Sequence, residues 1–255
     1  MQKDNWILPP DALDLKLHQV DIWRISLDAS TPLSTCLQVD SVKLIESTLS
    51  ADETERAARF HFPADRNRFI AAHGCLRDVL SRYLRCEPGQ LNFSINDYGK
   101  PALRDHKLEF NLSHSGGIAL VAVARDRKVG VDVERMRQGI SMQAIARQYF
   151  SKAEAAELQI LPLEQREAAF FDCWTRKEAY IKAHGMGLSL PLDSFDVSLT
   201  PHEPAILRAA CPDPQEAARW TLLSLEVDPL HRSAVAAEGC ELEFRYWEWM
   251  PVVRS

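Results

Sequence analysis

Residues 108–136, LEFNLSHSGGIALVAVARDRKVGVDVERM, have the fewest structural options of any stretch in this sequence. Three runs at 108–112, 118–124 and 129–134 have strand character, and only the polar intervals SHSGG and RDRK separate them. Connections that short predict a small sheet core, with the rest of the chain arranged around it.

Upstream, HQVDIWRISL (18–27) alternates as a first strand, and residues 50–84 read as helical. Ser50 with Glu53 three residues on forms a capping-box pair. Pro63 divides this region into a short helix and a longer one, on which Phe69, Ala72, Leu76, Val79, Leu80 and Tyr83 recur at helical spacing. INDYGKPAL (95–103) has the Asn, Asp, Gly and Pro punctuation of a turn or hairpin. Downstream, helices are predicted over 141–161, restarting at Ser151 with Glu154 as a second capping pair, and over 164–185. DSFDVSL, WTLLSLEV and SAVAAE read as strands, and the aromatic tail CELEFRYWEWMPVVRS as a strand packed on the core. This order predicts an α+β protein whose two comparable halves meet near residues 125–130, although residue identities reveal no internal repeat.

Composition narrows the function classes. Thirty Lys and Arg against 36 Asp and Glu leave a net charge of −6, so nothing global favours nucleic acid or an anionic membrane. Any anion site must be a local basic cluster. The N-terminal residues lack a basic segment followed by an apolar run, and no long apolar stretch occurs, so a cytoplasmic protein is expected. Cys36, Cys75, Cys86, Cys173, Cys211 and Cys240 are scattered without a C-x-x-C pair, which predicts buried or incidental thiols rather than a zinc site or a disulfide framework.

Chemistry enters with GVDVERMR (130–137). Asp132 and Glu134 are two apart in a strand, so both carboxylates project from one face and repel unless a positive group lies between them. Oxygen ligands at that spacing suit a hard divalent cation, Mg²⁺ above all; a solvated strand end balanced by Arg135 or Arg137 has the same composition. FNLSHSGG offers Ser113, His114 and Ser115 beside two glycines, a combination that can cradle a phosphate or simply form a hairpin turn. In FDCWTRKEAYIKAHGMGLSL (171–190), Glu178 and Lys182 share a helix face four residues apart, whereas Lys177 does not. Such a pair can be a surface ion pair, yet Trp174, Tyr180 and Ile181 predict a largely buried helix. Arg56, Arg59, Arg66 and Arg68, with Lys100 in YGKP, are a further candidate anion site or a solvated surface.

Taken in order, YGKP (98–101), FNLSHSGG (110–117), VGVDVE (129–134), RQYFSKAE (147–154) and FFDCWTRKEAYIKAHGMGLSLPLDSF (170–195) resemble the 4′-phosphopantetheinyl transferases of the larger type, which activates peptide, polyketide and fatty-acid synthases. The resemblance implies transfer of the phosphopantetheine arm of coenzyme A to a serine of an acyl, peptidyl or aryl carrier protein, releasing adenosine 3′,5′-bisphosphate. It implies a pseudo-dimer of two similar α/β halves, each a small, mainly antiparallel sheet packed with helices. Residues 1–126 would form the nucleotide side and 127–255 the metal side, with the site in the cleft between them and the chain a monomer.

By the same resemblance, Asp132, Glu134 and Glu178 look like the ligands of Mg²⁺, with Mn²⁺ as a substitute, and Lys182 like the lysine that contacts the pyrophosphate. Ser113 and His114 resemble phosphate contacts, Arg68 the arginine near the 3′-phosphate, and Gly99, Lys100 and Pro101 the stretch near the adenine. Relatives often carry a lysine for the 3′-phosphate where this chain has Glu53, with Arg56 one turn later. Glu178 or a bound water is the candidate general base. Carrier docking is expected near MRQGISMQAIARQYF, where Met136, Met142, Ile145, Tyr149 and Phe150 are otherwise helix core. A Mg²⁺-dependent phosphohydrolase or nucleotidyl transferase could use the same carboxylates, and a non-catalytic coenzyme A or carrier-protein binder could retain the fold. The first gives no reason for WTRKE and HGMGLSLP together, and the second would be favoured by replacement of Asp132 or Glu178, both of which are present.

Overall fold

In the computed structural model, which describes residues 4–27, 44–104, 106–137, 139–201, 203–213 and 215–251, the chain passes twice through one series of elements. The first pass is strand β1 (Gln19–Ser26), helices α1 (Ala51–Ala58) and α2 (Pro63–Leu84), the hairpin β2 (Phe93–Ile95) and β3 (Pro101–Leu103), then β4 (Leu108–Ser115) and β5 (Ile118–Arg125). The second is β6 (Val129–Arg135), helices α3 (Met142–Tyr149), α4 (Lys152–Ile160) and α5 (Leu163–His184), the hairpin β7 (Phe195–Val197) and β8 (Leu207–Ala210), then β9 (Trp220–Ser224) and β10 (His231–Glu238). Each pass builds an antiparallel sheet in the order first, third, second: β1-β5-β4 and β6-β10-β9. The α+β class with two similar halves is therefore visible in topology, though not in residue identities. A last strand, β11 (Glu243–Glu248), crosses back to pair in parallel with β1, so the aromatic tail belongs to the first sheet rather than to the half that precedes it in sequence.

Period-two alternation stacks the layers. On β5, Ala119, Val121 and Val123 join the core that α2 covers, while Leu120, Ala122 and Ala124 face the second sheet. On β6, Val129, Val131 and Val133 fill that inter-sheet core, which leaves Gly130, Asp132 and Glu134 on the opposite face, under α5. Gly130 sets the distance there: a Cβ built on it would lie 2.1 Å from Ala179 O and 2.3 Å from Ala183 N.

Local signals explain the helices. Both capping boxes form, with Glu53 N–H donating to Ser50 Oγ and Ser50 N–H to Glu53 Oε2, and the same reciprocal pair at Ser151 and Glu154. Pro63 occupies the first turn of α2, where no amide donor is needed. Strand β4 is longer than expected: the reversal needs only Gly116 and Gly117, with Gly116 at φ +60°, so Ser113, His114 and Ser115 are strand residues rather than turn residues. Strand β8 was not anticipated, because its four residues LRAA carry no alternation. Cys75 and Cys173 are buried and Cys86 half-buried as expected, Cys211 and Cys240 are exposed, and Cys36 lies outside the described residues.

Two buried ion pairs tie helices to loops. Arg77 is 2% exposed; its Nε donates to Glu53 Oε2 at 2.8 Å and its Nη1 to Pro88 O and Leu91 O. Burial alone would raise the Glu53 carboxyl, but hydrogen bonds from His73 and Ser50 N–H together with the Arg77 charge bring it down to about 2. Lys177 is fully buried, with Nζ 2.7 Å from Glu154 Oε2 and donating to Leu192 O and Phe195 O. Its role is structural: it fastens the segment after α5 to α4.

Gly130→Ala is expected to destabilise the protein by about 3 kcal/mol in urea titrations, because backbone rather than a mobile side chain opposes the new methyl. A loss under about 0.5 kcal/mol would mean that α5 is not held so close to β6. Glu53→Gln should cost about 2 kcal/mol at neutral pH. Since the folded carboxyl is depressed, its contribution is full above the unfolded value of 4.5 and fades as pH falls toward about 2. Melting temperatures of variant and wild type should therefore converge on acidification, and a pH-independent gap would disprove the linkage.

Candidate active site

Strands β4 and β6 edge separate sheets, and side chains rather than a backbone ladder join them. Val131 N–H donates to Asn111 Oδ1 at 2.8 Å, Val133 N–H to Ser113 Oγ at 3.4 Å, and Arg135 N–H to Ser115 Oγ at 3.1 Å. Every second residue of NLSHS thus satisfies every second amide of VGVDVER, which fixes the register between the two passes of the chain.

The expected acidic residues lie around this seam. Asp132 is 2% exposed, and its Oδ1 accepts from Ser113 Oγ at 2.9 Å and from Lys182 Nζ at 2.5 Å. Lys182 Nζ also donates to Ser113 Oγ at 3.0 Å. The other oxygen, Asp132 Oδ2, is buried without a hydrogen-bond partner among the described residues. Glu134 accepts from Ser115 Oγ at 3.0 Å, and Glu178 lies half-buried on the α5 face that carries Lys182. Burial and then the Asp132 charge raise both the Glu134 and the Glu178 carboxyl. Burial would lower Lys182, but Asp132, Glu178 and Glu134 outweigh it and raise its ammonium. Among the described residues, Asp132 is the carboxylate that bonds the Lys182 ammonium, while Glu178 and Glu134 act on it through their charge.

Among the described residues, no group of three or more His, Cys, Asp or Glu side chains is gathered into a ready metal cluster. The donor chemistry nonetheless fits a hard divalent cation. The candidate ligands are oxygen only, the Asp132 charge raises the Glu134 and Glu178 carboxyls, and Asp132 Oδ2 is buried without a hydrogen-bond partner among the described residues.

The basic residues gather beside His114. Burial lowers its imidazole, followed by the positive charges of His73, Lys182, Arg56 and Arg68, so these groups share one neighbourhood. His73 was missed in the sequence. It stacks on Phe69 at 4.1 Å between ring centroids, with Arg56 over the same ring, and its polar neighbour Glu53 comes from the preceding helix, which no local pattern reveals. Arg59 and Arg66 turn away to Glu55 and Glu46. Glu53 is not free to repel a phosphate, because Arg77 and His73 hold its carboxylate.

YGKP docks against the C-terminal end of α5. Gly99 has φ +89° in the hairpin turn, Pro101 begins β3, and Lys100 Nζ donates to Val129 O at 3.2 Å and to Ala183 O at 3.1 Å. Burial lowers the Lys100 ammonium, and in this structure it ties backbone together. Of the expected docking residues, Phe150 is buried core, whereas Met136, Met142, Ile145 and Tyr149 are half-buried against that core.

Residues 128–237 match the family model for the 4′-phosphopantetheinyl transferase superfamily, and residues 38–126 match the model for the N-terminal region of 4′-phosphopantetheinyl transferases. The chain is similar to the 4′-phosphopantetheinyl transferase HetI of Nostoc sp., at 39% identity over 98% of this chain and 100% of that protein. It is also similar to the transferase Sfp of Bacillus subtilis, at 34% identity over 75% of this chain and 83% of that one. Among solved structures, the holo-[acyl-carrier-protein] synthase of Thermotoga maritima aligns with 44% of this chain and 62% of its own, at 17% identity and a TM-score of 0.36. The chain, with its GVDVE strand and WTRKEAYIK helix joined through Asp132 and Lys182, belongs to the 4′-phosphopantetheinyl transferase family.

Proposed function

We propose that the phosphopantetheinyl donor is coenzyme A and that the acceptor is a serine hydroxyl of an apo acyl, peptidyl or aryl carrier protein. The observation that carries this reading is the site's two-ended charge, with Asp132, Glu134 and Glu178 at one end, Arg56, Arg68, His73 and His114 at the other, and Lys182 between them. A pyrophosphate with a second phosphate on its nucleotide needs that pattern. The carboxylate end would hold Mg²⁺ or Mn²⁺ through Asp132, Glu134 and Glu178, and the cation would neutralise charge on the pyrophosphate oxygens. Lys182 supplies a fixed positive charge to the same oxygens, and Ser113 a hydroxyl beside it.

The serine oxygen forms its bond to the phosphorus of the phosphopantetheine arm as the phosphorus–oxygen bond to adenosine 3′,5′-bisphosphate breaks. Glu178 takes the hydroxyl proton; burial and the neighbouring carboxylates strengthen it as a base. His114, Arg68 and Arg56 receive the 3′-phosphate, while Gly99, Lys100 and Pro101 line the approach to the adenine. Residues 1–126 act as the nucleotide side and 127–255 as the metal side of a monomer. No helix among the described residues is long and apolar enough to cross a membrane, which fits a carrier-protein substrate met in the cytoplasm.

Incubation with coenzyme A, Mg²⁺ and a panel of apo carrier proteins should add the phosphopantetheine mass to at least one of them; no addition to any would refute the donor and acceptor assignment. Asp132→Ala and Glu178→Ala should each lower the rate roughly 100-fold or more while the far-ultraviolet circular dichroism stays unchanged.

Coenzyme A should also bind more tightly than dephospho-coenzyme A, by a margin that grows as pH falls. His114 is held below the ordinary histidine value, so it is mostly neutral at neutral pH, and a phosphate beside it favours its protonated form. The ratio of the two affinities, followed by calorimetry from about pH 8 to about pH 6, should rise in the wild type and flatten in His114→Gln. Equal affinities for the two nucleotides would remove the 3′-phosphate assignment.

A further inference from the structure

Glu134 differs from the other two acidic residues in how it is held. Asp132 is gripped by Lys182, and Glu178 is carried by a helix, whereas Glu134 is the penultimate residue of strand β6 and, among the described residues, meets one side-chain donor, Ser115 Oγ at 3.0 Å. Ser115 is itself fixed from two directions. Its Oγ accepts the Arg135 amide at 3.1 Å, which turns the hydroxyl proton toward Glu134. Its carbonyl meets His231 Nε2 at 3.1 Å, and His231 Nδ1 lies 2.8 Å from Asp228 Oδ1.

His231 is 6% exposed and takes no part in the reaction described above. Both of its ring nitrogens face oxygen atoms, Nδ1 the Asp228 carboxylate and Nε2 the Ser115 carbonyl. It also packs under the turn, where a Cβ on Gly116 would sit 3.0 Å from Nε2. The chain Asp228, His231, Ser115 therefore runs from the start of β10 through the β4 turn to Glu134.

We propose that Ser115 is a positioning residue which aims the Glu134 carboxylate at the cation site, and that His231 with Asp228 holds Ser115 in place. This rests on the reading of Asp132, Glu134 and Glu178 as the cation ligands. A hydroxyl bonded to a ligating carboxylate restricts its rotation, so losing it scatters the oxygen over positions that do not face the cation. Removal of such outer partners typically lowers metal affinity 10- to 100-fold.

The test is direct binding of Mn²⁺, followed by its electron paramagnetic resonance signal on full-length protein, together with the Mg²⁺ dependence of transfer. Ser115→Ala should weaken Mn²⁺ binding about 10-fold and raise the Mg²⁺ concentration for half-maximal rate. It should leave the rate at saturating Mg²⁺ within about 2-fold of the wild type and the KM for the carrier protein unchanged. Ser115→Thr, which restores the hydroxyl, should recover most of the affinity. A melting temperature lowered equally in both variants, with Mn²⁺ affinity like the wild type in each, would overturn the proposal and leave the ligand assignment standing. Absence of Mn²⁺ binding by the wild type would overturn the ligand assignment and this inference with it.

Discussion

The close contact between α5 and β6 at Gly130 governs the rest of the site. A helix packed on a sheet normally rides on side chains; here the Ala179 and Ala183 backbone comes down to a residue without one. The neighbouring positions on the two elements then face each other. Asp132 and Glu134 follow Gly130 on the same strand face, and Glu178 and Lys182 flank the two alanines on the helix. A single Cβ at position 130 would lift one carrier of site residues off the other, so the glycine of GVDVE constrains geometry even though it contributes no chemistry.

Two lysines five residues apart on α5 show how burial separates structure from function. Lys177 has its three donors matched by Glu154, Leu192 O and Phe195 O, and nothing remains for a ligand. Lys182 is only partly enclosed and meets Asp132 and Ser113 while facing two further carboxylates. Charges in the first cluster are balanced one to one. In the second, Asp132, Glu134 and Glu178 all act on Lys182, and among the described residues Asp132 Oδ2 has no hydrogen-bond partner. Uncompensated charge is costly unless a ligand offsets it, so the second cluster is the one suited to a cationic ligand.

Much of this was legible in the sequence because the signals were local. The capping pairs at Ser50 and Ser151, the break at Pro63, the strand pair Asp132 and Glu134 and the helix pair Glu178 and Lys182 all follow from spacing within a few residues. What stayed hidden depends on contacts across the chain. Lys177 could not be assigned because its partners lie 15 to 23 residues away on other elements. His73 gave no signal because its polar neighbour Glu53 comes from the preceding helix and its charge acts on a strand. The repeated sheet order was invisible because it is conserved in connectivity while the residues differ.

SHSGG read as a turn because its composition is that of a turn, and the structure gives it a second meaning. In a strand, alternate residues face opposite sides, so Asn111, Ser113 and Ser115 all turn toward β6 while His114 turns away toward the basic cluster. A backbone ladder would have joined the two edge strands more simply, yet it would have left no hydroxyls at the seam. With side chains as acceptors, the same Ser113 oxygen that receives the Val133 amide can also donate to Asp132 and accept from Lys182. Register between the two sheets and the hydrogen bonding of Asp132 and Lys182 are thereby carried by the same atoms.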